Sequence, residues 1–172
     1  MSVPAAPRDS RAELAALFAR RFPLAAALGL RVAEASPLRV RLACPLEPNL
    51  NRMGTAFGGS LYSAATLSGW GLLWCVLKER RLADADIVVA DSGERYLVPV
   101  GEPFIAECCA PVGAFDVGLA TLRRRDRARV ETTSEVLCRG RVCAVFRATY
   151  ALLRKTPGNI VAETNLLDRT GV

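Results

Sequence analysis

Along the chain the apolar positions change their spacing several times, and each change predicts a different element. Over residues 9–29, Leu14, Leu17, Phe18 and Phe22 fall at helical intervals. They predict a short amphipathic helix capped by Asp9 or Ser10, interrupted by Pro23 and ended by Gly29. Residues 30–44 switch to a period of two: Leu38, Val40, Leu42 and Cys44 alternate with Arg39, Arg41 and Ala43, the pattern of a half-buried strand. The stretch PLEPNLN reads as a proline-broken loop. From Gly58 to about Leu82 the chain is apolar on most sides, has no proline and finishes in Lys78, Glu79, Arg80 and Arg81. This predicts one long buried helix with positive charge at its C-terminal end. Strands are expected afterwards in ADIVVADSGERYLVPV, EPFIAECCAPV and FDVGLATLRRR, the last running to a charged turn, RDRAR. VETTSEVLCRG and RVCAVFRATYALLRK pair as a hairpin about Arg139-Gly140-Arg141.

The predicted order is therefore helix, strand, long helix and five strands in a meander. It is an α+β architecture in which one face of an antiparallel sheet of five or six strands wraps the central helix. The other face or the edge must be polar or covered by a partner. The organisation reads as an N-terminal helical segment (1–29), a main domain (30–155) and a tail (156–172) of loop or short helix.

Composition narrows the chemistry more than the fold. With 172 residues, 51% hydrophobic and 23% charged, the chain can bury one core. Lys+Arg is 23 against 17 Asp+Glu, a net charge of +6, which suits an anionic small molecule, a nucleic acid or an anionic membrane without choosing among them. Histidine is absent. That removes Ser-His-Asp and Cys-His pairs, His-ligated zinc and His-dependent dehydration, and leaves acid–base work to Asp, Glu, Lys, Tyr, thiols or water. The six cysteines form no CxxC and read as buried thiols in a reducing cytosol. No signal-peptide pattern opens the chain. Between Arg52 and Lys78 there is no charge, a length sufficient to cross a bilayer. The glycines, serines and threonines within it, and the strand-rich remainder, favour a core helix with no membrane contact.

The stretch NRMGTAFGGSLYS, Asn51 to Ser63, carries the most specific signal. A glycine pair at the mouth of an apolar helix costs helix stability. Close packing, an unusual turn or a ligand approaching bare N–H groups would compensate. Asn51, Gly54, Thr55, Phe57, Gly58 and Gly59 stand at the spacing of the signature Asn-x-x-Gly-Thr-x-His-Gly-Gly, with Phe57 at the histidine. Asp91, Tyr96 and Pro99 fall in register with a strand of the same proteins. In these residues the chain, over about 30–154, resembles acyl-CoA thioesterases of the hotdog fold, and most of all the thioesterase group named after the YiiD C-terminal domain.

That resemblance implies binding, and hydrolysis, of acyl-CoA or acyl-carrier-protein thioesters. It implies no metal or organic cofactor, coenzyme A entering only as part of the substrate. It also implies a homodimer or dimer of dimers with the site between subunits. Gly58 N–H would be the oxyanion donor, Gly59 would shape the turn, and Asn51 would orient the thioester or water. The alternatives are glycines that serve packing alone and an asparagine that caps a loop.

Two departures stand out. Phe57 removes the histidine's hydrogen bond and makes the mouth more apolar. Thr66 occupies the position of the helix carboxylate, and threonine is no general base near neutral pH. Asp91 is the first substitute and Glu94 the next, with a solvated strand face as the bland reading of both. Ser60, Ser63 and Thr66 would position water, or simply bond back along the helix. Arg123 and Arg125, in the cluster of Arg123, Arg124, Arg125, Arg127 and Arg129 against Asp126, would attract a 3′-phospho-ADP group or form a solvated hairpin tip. The rival readings are a non-catalytic thioester binder, an acyltransferase (for which the chain has no room for a second domain), and an RNA-binding domain. The last lacks the aromatic interleaving of single-strand binders, so no nucleic-acid partner is expected.

Overall fold

The computed structural model describes residues 9–154; the expected tail, 156–172, lies outside them. The elements are α1 (Ser10–Arg21), α2 (Pro23–Ala27), β1 (Arg31–Ala35), β2 (Arg39–Cys44), α3 (Gly58–Glu79), β3 (Ala85–Tyr96), β4 (Phe104–Cys109), α4 (Asp116–Arg125), β5 (Arg127–Cys138) and β6 (Arg141–Arg154). The six strands form one antiparallel sheet in the order β1-β2-β4-β5-β6-β3. The sheet wraps α3, the helix-in-sheet layout that the resemblance implies.

The first helical segment divides at Phe22, because Pro23 supplies the N-terminal turn of a second helix, a position where its missing N–H costs nothing. Asp9 caps α1, accepting from Arg11 N–H at 3.0 Å, while Leu14 and Phe18 are buried against the core. The single expected strand over 30–44 is a hairpin: Ser36 Oγ accepts from the N–H groups of Leu38 and Arg39 and turns β1 into β2.

Two expectations need correction. The strands do not form a meander, since β3 crosses to the far edge beside β6 and β4 pairs with β2. The connection from β3 to β4 contains Pro99, Gly101 and Pro103, and prolines lack the donors a tight antiparallel hairpin uses. The segment FDVGLATLRRR is not a strand but α4, so four strands follow α3. Leu119 and Leu122 are both buried one helical turn apart, while Val117, which made an alternating pattern with Leu119, is 84% exposed. Arg123, Arg124 and Arg125 occupy the helix's last turn, where cations suit the dipole. The arginine cluster is therefore a helix end joined to β5 through left-handed Asp126, φ 56°, and not a hairpin tip. The hairpin about Arg139 and Gly140 forms as expected, with φ positive at both residues.

The core sits between α3 and the concave face of the sheet. β5 buries every second residue, Ala128 through Val136, and β6 adds Phe146, Ala148, Tyr150 and Leu152. Gly69 brings α3 down on β5 and β6: a Cβ there would stand 2.8 Å from the Tyr150 hydroxyl and 2.9 Å from Thr132 Oγ1. Tyr150, wholly buried, donates to the Thr66 carbonyl at 2.7 Å. α3 is long and apolar enough to cross a membrane, but 67% of its most apolar window is buried within this domain. Cys44, Cys75, Cys108 and Cys143 are buried, and burial pushes the first two thiols up to about 12.

β3 positions the site. Among the described residues it pairs with β6 alone, so it forms an edge of the sheet along its 12 residues. Its second half runs along the first turns of α3.

Candidate functional site at the start of the central helix

The loop before α3 is held by asparagines. Asn49, 1% exposed, donates from Nδ2 to the carbonyls of Leu28 and Pro45 at 2.9 and 2.7 Å. Asn51 folds the next turn: its Oδ1 accepts from the N–H groups of Met53 and Thr55, and its Nδ2 donates to Thr55 Oγ1 at 2.9 Å and to the Ala56 carbonyl at 3.4 Å. Gly54 takes the left-handed conformation this turn requires, φ 76°. The neighbouring loops then fix the helix entry, with Ala56 N–H on the Val100 carbonyl of the β3–β4 connection and Phe57 N–H on the Asn49 carbonyl.

Phe57 is the N-cap of α3 and offers no capping side chain. Its carbonyl accepts from Ser60 and Leu61 N–H. The N–H groups of Gly58 and Gly59 have no acceptor among the described residues, and they carry the positive end of a 22-residue helix. Each glycine is pressed by an aromatic ring. A Cβ on Gly59 would stand 2.4 Å from the Phe57 ring, and one on Gly58 would stand 3.0 Å from the Tyr96 hydroxyl. That hydroxyl donates to the Gly58 carbonyl at 3.1 Å. Beside them opens a cavity of about 330 Å³ lined by Thr55, Gly58, Leu61, Tyr96, Val98 and Pro99. Leu97, 49% exposed, also lines it, and Met53 and Phe57, 72% and 58% exposed, add apolar surface to the loop that leads into α3.

The strand beside the helix brings a carboxylate. Ser92 Oγ lies 2.5 Å from the Tyr62 hydroxyl, and Tyr96 reaches Gly58, so residues 92, 94 and 96 face α3. Glu94 lies between them, opposite Phe146, whose ring packs edge-on against Tyr62 at 5.0 Å. Both Glu94 carboxylate oxygens are buried and neither has a hydrogen-bond partner among the described residues. Burial raises its carboxyl above the usual range, opposed only in part by the Tyr96 hydroxyl. Burial, and then Glu94 itself, push Tyr96 up to about 12.

The residues expected from the sequence separate into two groups. Asn51, Phe57, Gly58, Gly59, Ser60 and Ser63 gather at the start of α3, with Thr66 two turns further along. Ser63 and Thr66 donate their hydroxyls back to the carbonyls of Gly59 and Tyr62, at 2.7 and 2.8 Å. Asp91 falls on the opposite face. By alternation it points away from α3, into a shallow polar groove of about 490 Å³ shared with Glu131, Thr133, Arg147 and Thr149. Arg123 and Arg125 lie at the other end of the molecule. Arg123 donates to the carbonyl of Arg80, just past the C-terminus of α3, and the 22 residues of α3 span about 33 Å. Tyr62, Ser92 and Tyr96 were not singled out as contacts of the helix. The signal was the alternation Ser92, Glu94, Tyr96, which places all three on one face once either neighbour is known to touch the helix.

Residues 11–154 match the family model described as Putative thioesterase (yiiD_Cterm). Among solved structures, the fold is similar to a protein of unknown function from Chlorobaculum tepidum, at 28% identity and a TM-score of 0.78, covering 84% of this chain and 94% of that one. It is similar to a putative thioesterase from Shewanella oneidensis at 25% identity and a TM-score of 0.72, covering 87% of this chain and 100% of that one. A thioesterase from Haemophilus influenzae shares the fold at 16% identity and a TM-score of 0.65, covering 84% of this chain and 90% of that one.

Proposed function

The chain belongs to the YiiD C-terminal family of putative thioesterases, and from that premise we propose that it hydrolyses acyl-CoA or acyl-carrier-protein thioesters at the start of α3. The observation that carries this reading is the pair of N–H groups of Gly58 and Gly59, without acceptors among the described residues, beside an apolar cavity of about 330 Å³. Water adding to a thioester carbonyl leaves negative charge on oxygen. A preoriented backbone donor at a helix N-terminus stabilises that charge more than it stabilises the neutral carbonyl. Gly58 N–H is the donor in this reading, and Gly59 lets the Phe57 ring lie across the helix mouth. Collapse of the oxyanion breaks the C–S bond and releases an acid and a thiol.

Asn51 has its amide engaged within its own turn, so its part is to fix the loop from which α3 starts. A second copy completes the site: the open edge of β3 runs directly into exposed Leu97 at the cavity, and pairing of two β3 strands covers both. Within one chain the arginines of α4 lie too far from Gly58 to hold the phosphates of the same coenzyme A.

One observation favours a second reading, a module that binds thioesters without cleaving them. The position of the helix carboxylate is Thr66, and its hydroxyl is tied to the Tyr62 carbonyl. Thiol release from a panel of acyl-CoAs of graded chain length, beside the affinity for a non-hydrolysable thioether analogue, separates the two. Release above the uncatalysed rate supports the hydrolase; tight analogue binding with no release supports the binder.

A further inference from the structure

Resting on the hydrolase reading, we propose that Glu94 is the general base that takes the proton from the attacking water. Four facts of placement converge on it. It is on the α3 side of β3, two residues from Tyr96, which touches Gly58, and two from Ser92, which touches Tyr62. Both its oxygens are buried and neither accepts a hydrogen bond among the described residues, the nearby Tyr96 hydroxyl being given to the Gly58 carbonyl. That is a costly arrangement which a purely structural carboxylate avoids by finding a partner. Asp91, the other strand carboxylate, faces away from the helix. Thr66 has no basic group and has its hydroxyl committed.

Around Glu94 stand Ser92 and Tyr96 on its own strand, Phe146 on β6 and Tyr62 on α3, and Arg95 and Arg147 line with it a cavity of about 360 Å³. Tyr96, Tyr62 and the two arginines are the titratable ones, and no cation among the described residues lowers the carboxyl's pKa. Of the neighbours on the side of α3, Tyr96 is the exposed one, at 55%. Its ring leaves the Gly58 carbonyl when substrate enters, and water then reaches the carboxylate. The water oxygen bonds to the thioester carbon as its proton passes to Glu94. When the C–S bond breaks with its electron pair on sulfur, Glu94 returns that proton to the thiolate. Glu94 ends as it began, and one water and one thioester have become an acid and a thiol. A raised carboxyl pKa makes the base stronger near neutral pH, and requires the rate to fall as pH drops through that value.

The test uses the full chain, with kcat and KM for an acyl-CoA it hydrolyses measured across pH for the native protein, Glu94→Gln and Asp91→Asn. Glu94→Gln is expected to lower kcat at least about 100-fold, the usual contribution of a general base. It should leave KM and the affinity for the thioether analogue within about twofold and erase the acid limb of kcat/KM. Its melting temperature should not fall, since glutamine keeps the shape and removes a buried charge, so loss of rate is not loss of fold. Glu94→Gln that keeps both the rate and the acid limb overturns this assignment and leaves the hydrolase reading standing, as does an acid limb abolished by Asp91→Asn instead. A native protein that cleaves no acyl-CoA or acyl-carrier thioester overturns the hydrolase reading itself, and this one with it.

Discussion

The hydroxyl of Tyr96, the last residue of β3, donates to the carbonyl of Gly58, the first residue of α3, at 3.1 Å. This one bond ties the edge of the sheet to the start of the central helix and sets the Tyr96 ring over the glycine. Tyr96→Phe keeps the ring and removes the tie. Because Tyr96 is 55% exposed, the stability cost should lie at or below the low end of about 0.5–1.5 kcal/mol for a hydrogen bond. The thioester-cleaving rate should change by more than the melting temperature implies. Equal, small losses in both would mean that the ring only packs.

The glycines of α3 should divide into two kinds. A methyl at Gly58 meets the Tyr96 hydroxyl at 3.0 Å, and Tyr96 is free to yield into solvent. A methyl at Gly69 meets the Tyr150 hydroxyl and Thr132 Oγ1, both buried. Gly69→Ala should cost on the order of 1–3 kcal/mol by overpacking, with the rate per folded molecule kept. Gly58→Ala should cost much less stability and reduce turnover at least about tenfold, because its methyl stands beside the backbone donor where the thioester carbonyl must approach. Denaturation curves beside specific rates separate them, and a Gly58→Ala protein with an unchanged rate per folded molecule would remove Gly58 from the mechanism.

The open edge of β3 should be closed by a second copy. Light scattering at micromolar concentration should give about twice the 18.5 kDa of one chain, or four times it. Leu97→Asp, placed where β3 meets the apolar cavity, should shift the mass towards the monomer and lower activity with it. A native protein that runs as a monomer, with full activity, contradicts a shared site.

The helix-wrapped sheet was legible because α3 breaks the pattern of everything around it: a long apolar run without proline, opened by a glycine pair, has few other fates. The hairpin of β5 and β6 was legible for a similar local reason, Arg139-Gly140 between two alternating runs. The meander was not, because strand order depends on how far the β3–β4 connection travels, and period two says nothing of that. Residues 115–125 misled because Val117, Leu119 and Thr121 alternate as well as Leu119 and Leu122 follow a helical turn; tertiary packing against Val130, which Gly118 allows, decided for the helix. At the site, the bare N–H groups at the helix start were readable from the glycines. Which of Asp91 and Glu94 faces α3 was not, since it turns on the parity of β3. The bulge between Val89 and Asp91 resets that parity, and no residue type announces it.

The burial of Glu94 also predicts how stability depends on pH. Its carboxyl is raised in the folded chain by burial, with the Tyr96 hydroxyl opposing that in part. The folded state therefore holds the proton more tightly than the unfolded chain does. At a pH below the unfolded carboxyl's value the group is protonated in both states and costs nothing. As pH rises from there through the raised folded value, the unfolded state gains an ionisation that the folded state resists, and stability is lost; above it the full penalty remains. Glu94→Gln has no such group, so it should melt higher than the native protein at pH 7.5 and together with it at pH 3.5 on a scale of roughly one carboxyl's titration. Melting both proteins by calorimetry at several pH values across that interval reads the difference directly. A gap that closes upward in pH, or a Glu94→Gln protein that melts lower near neutrality, would mean that a cation or donor satisfies the carboxylate in the folded protein, and that Glu94 holds the structure rather than taking a proton from water.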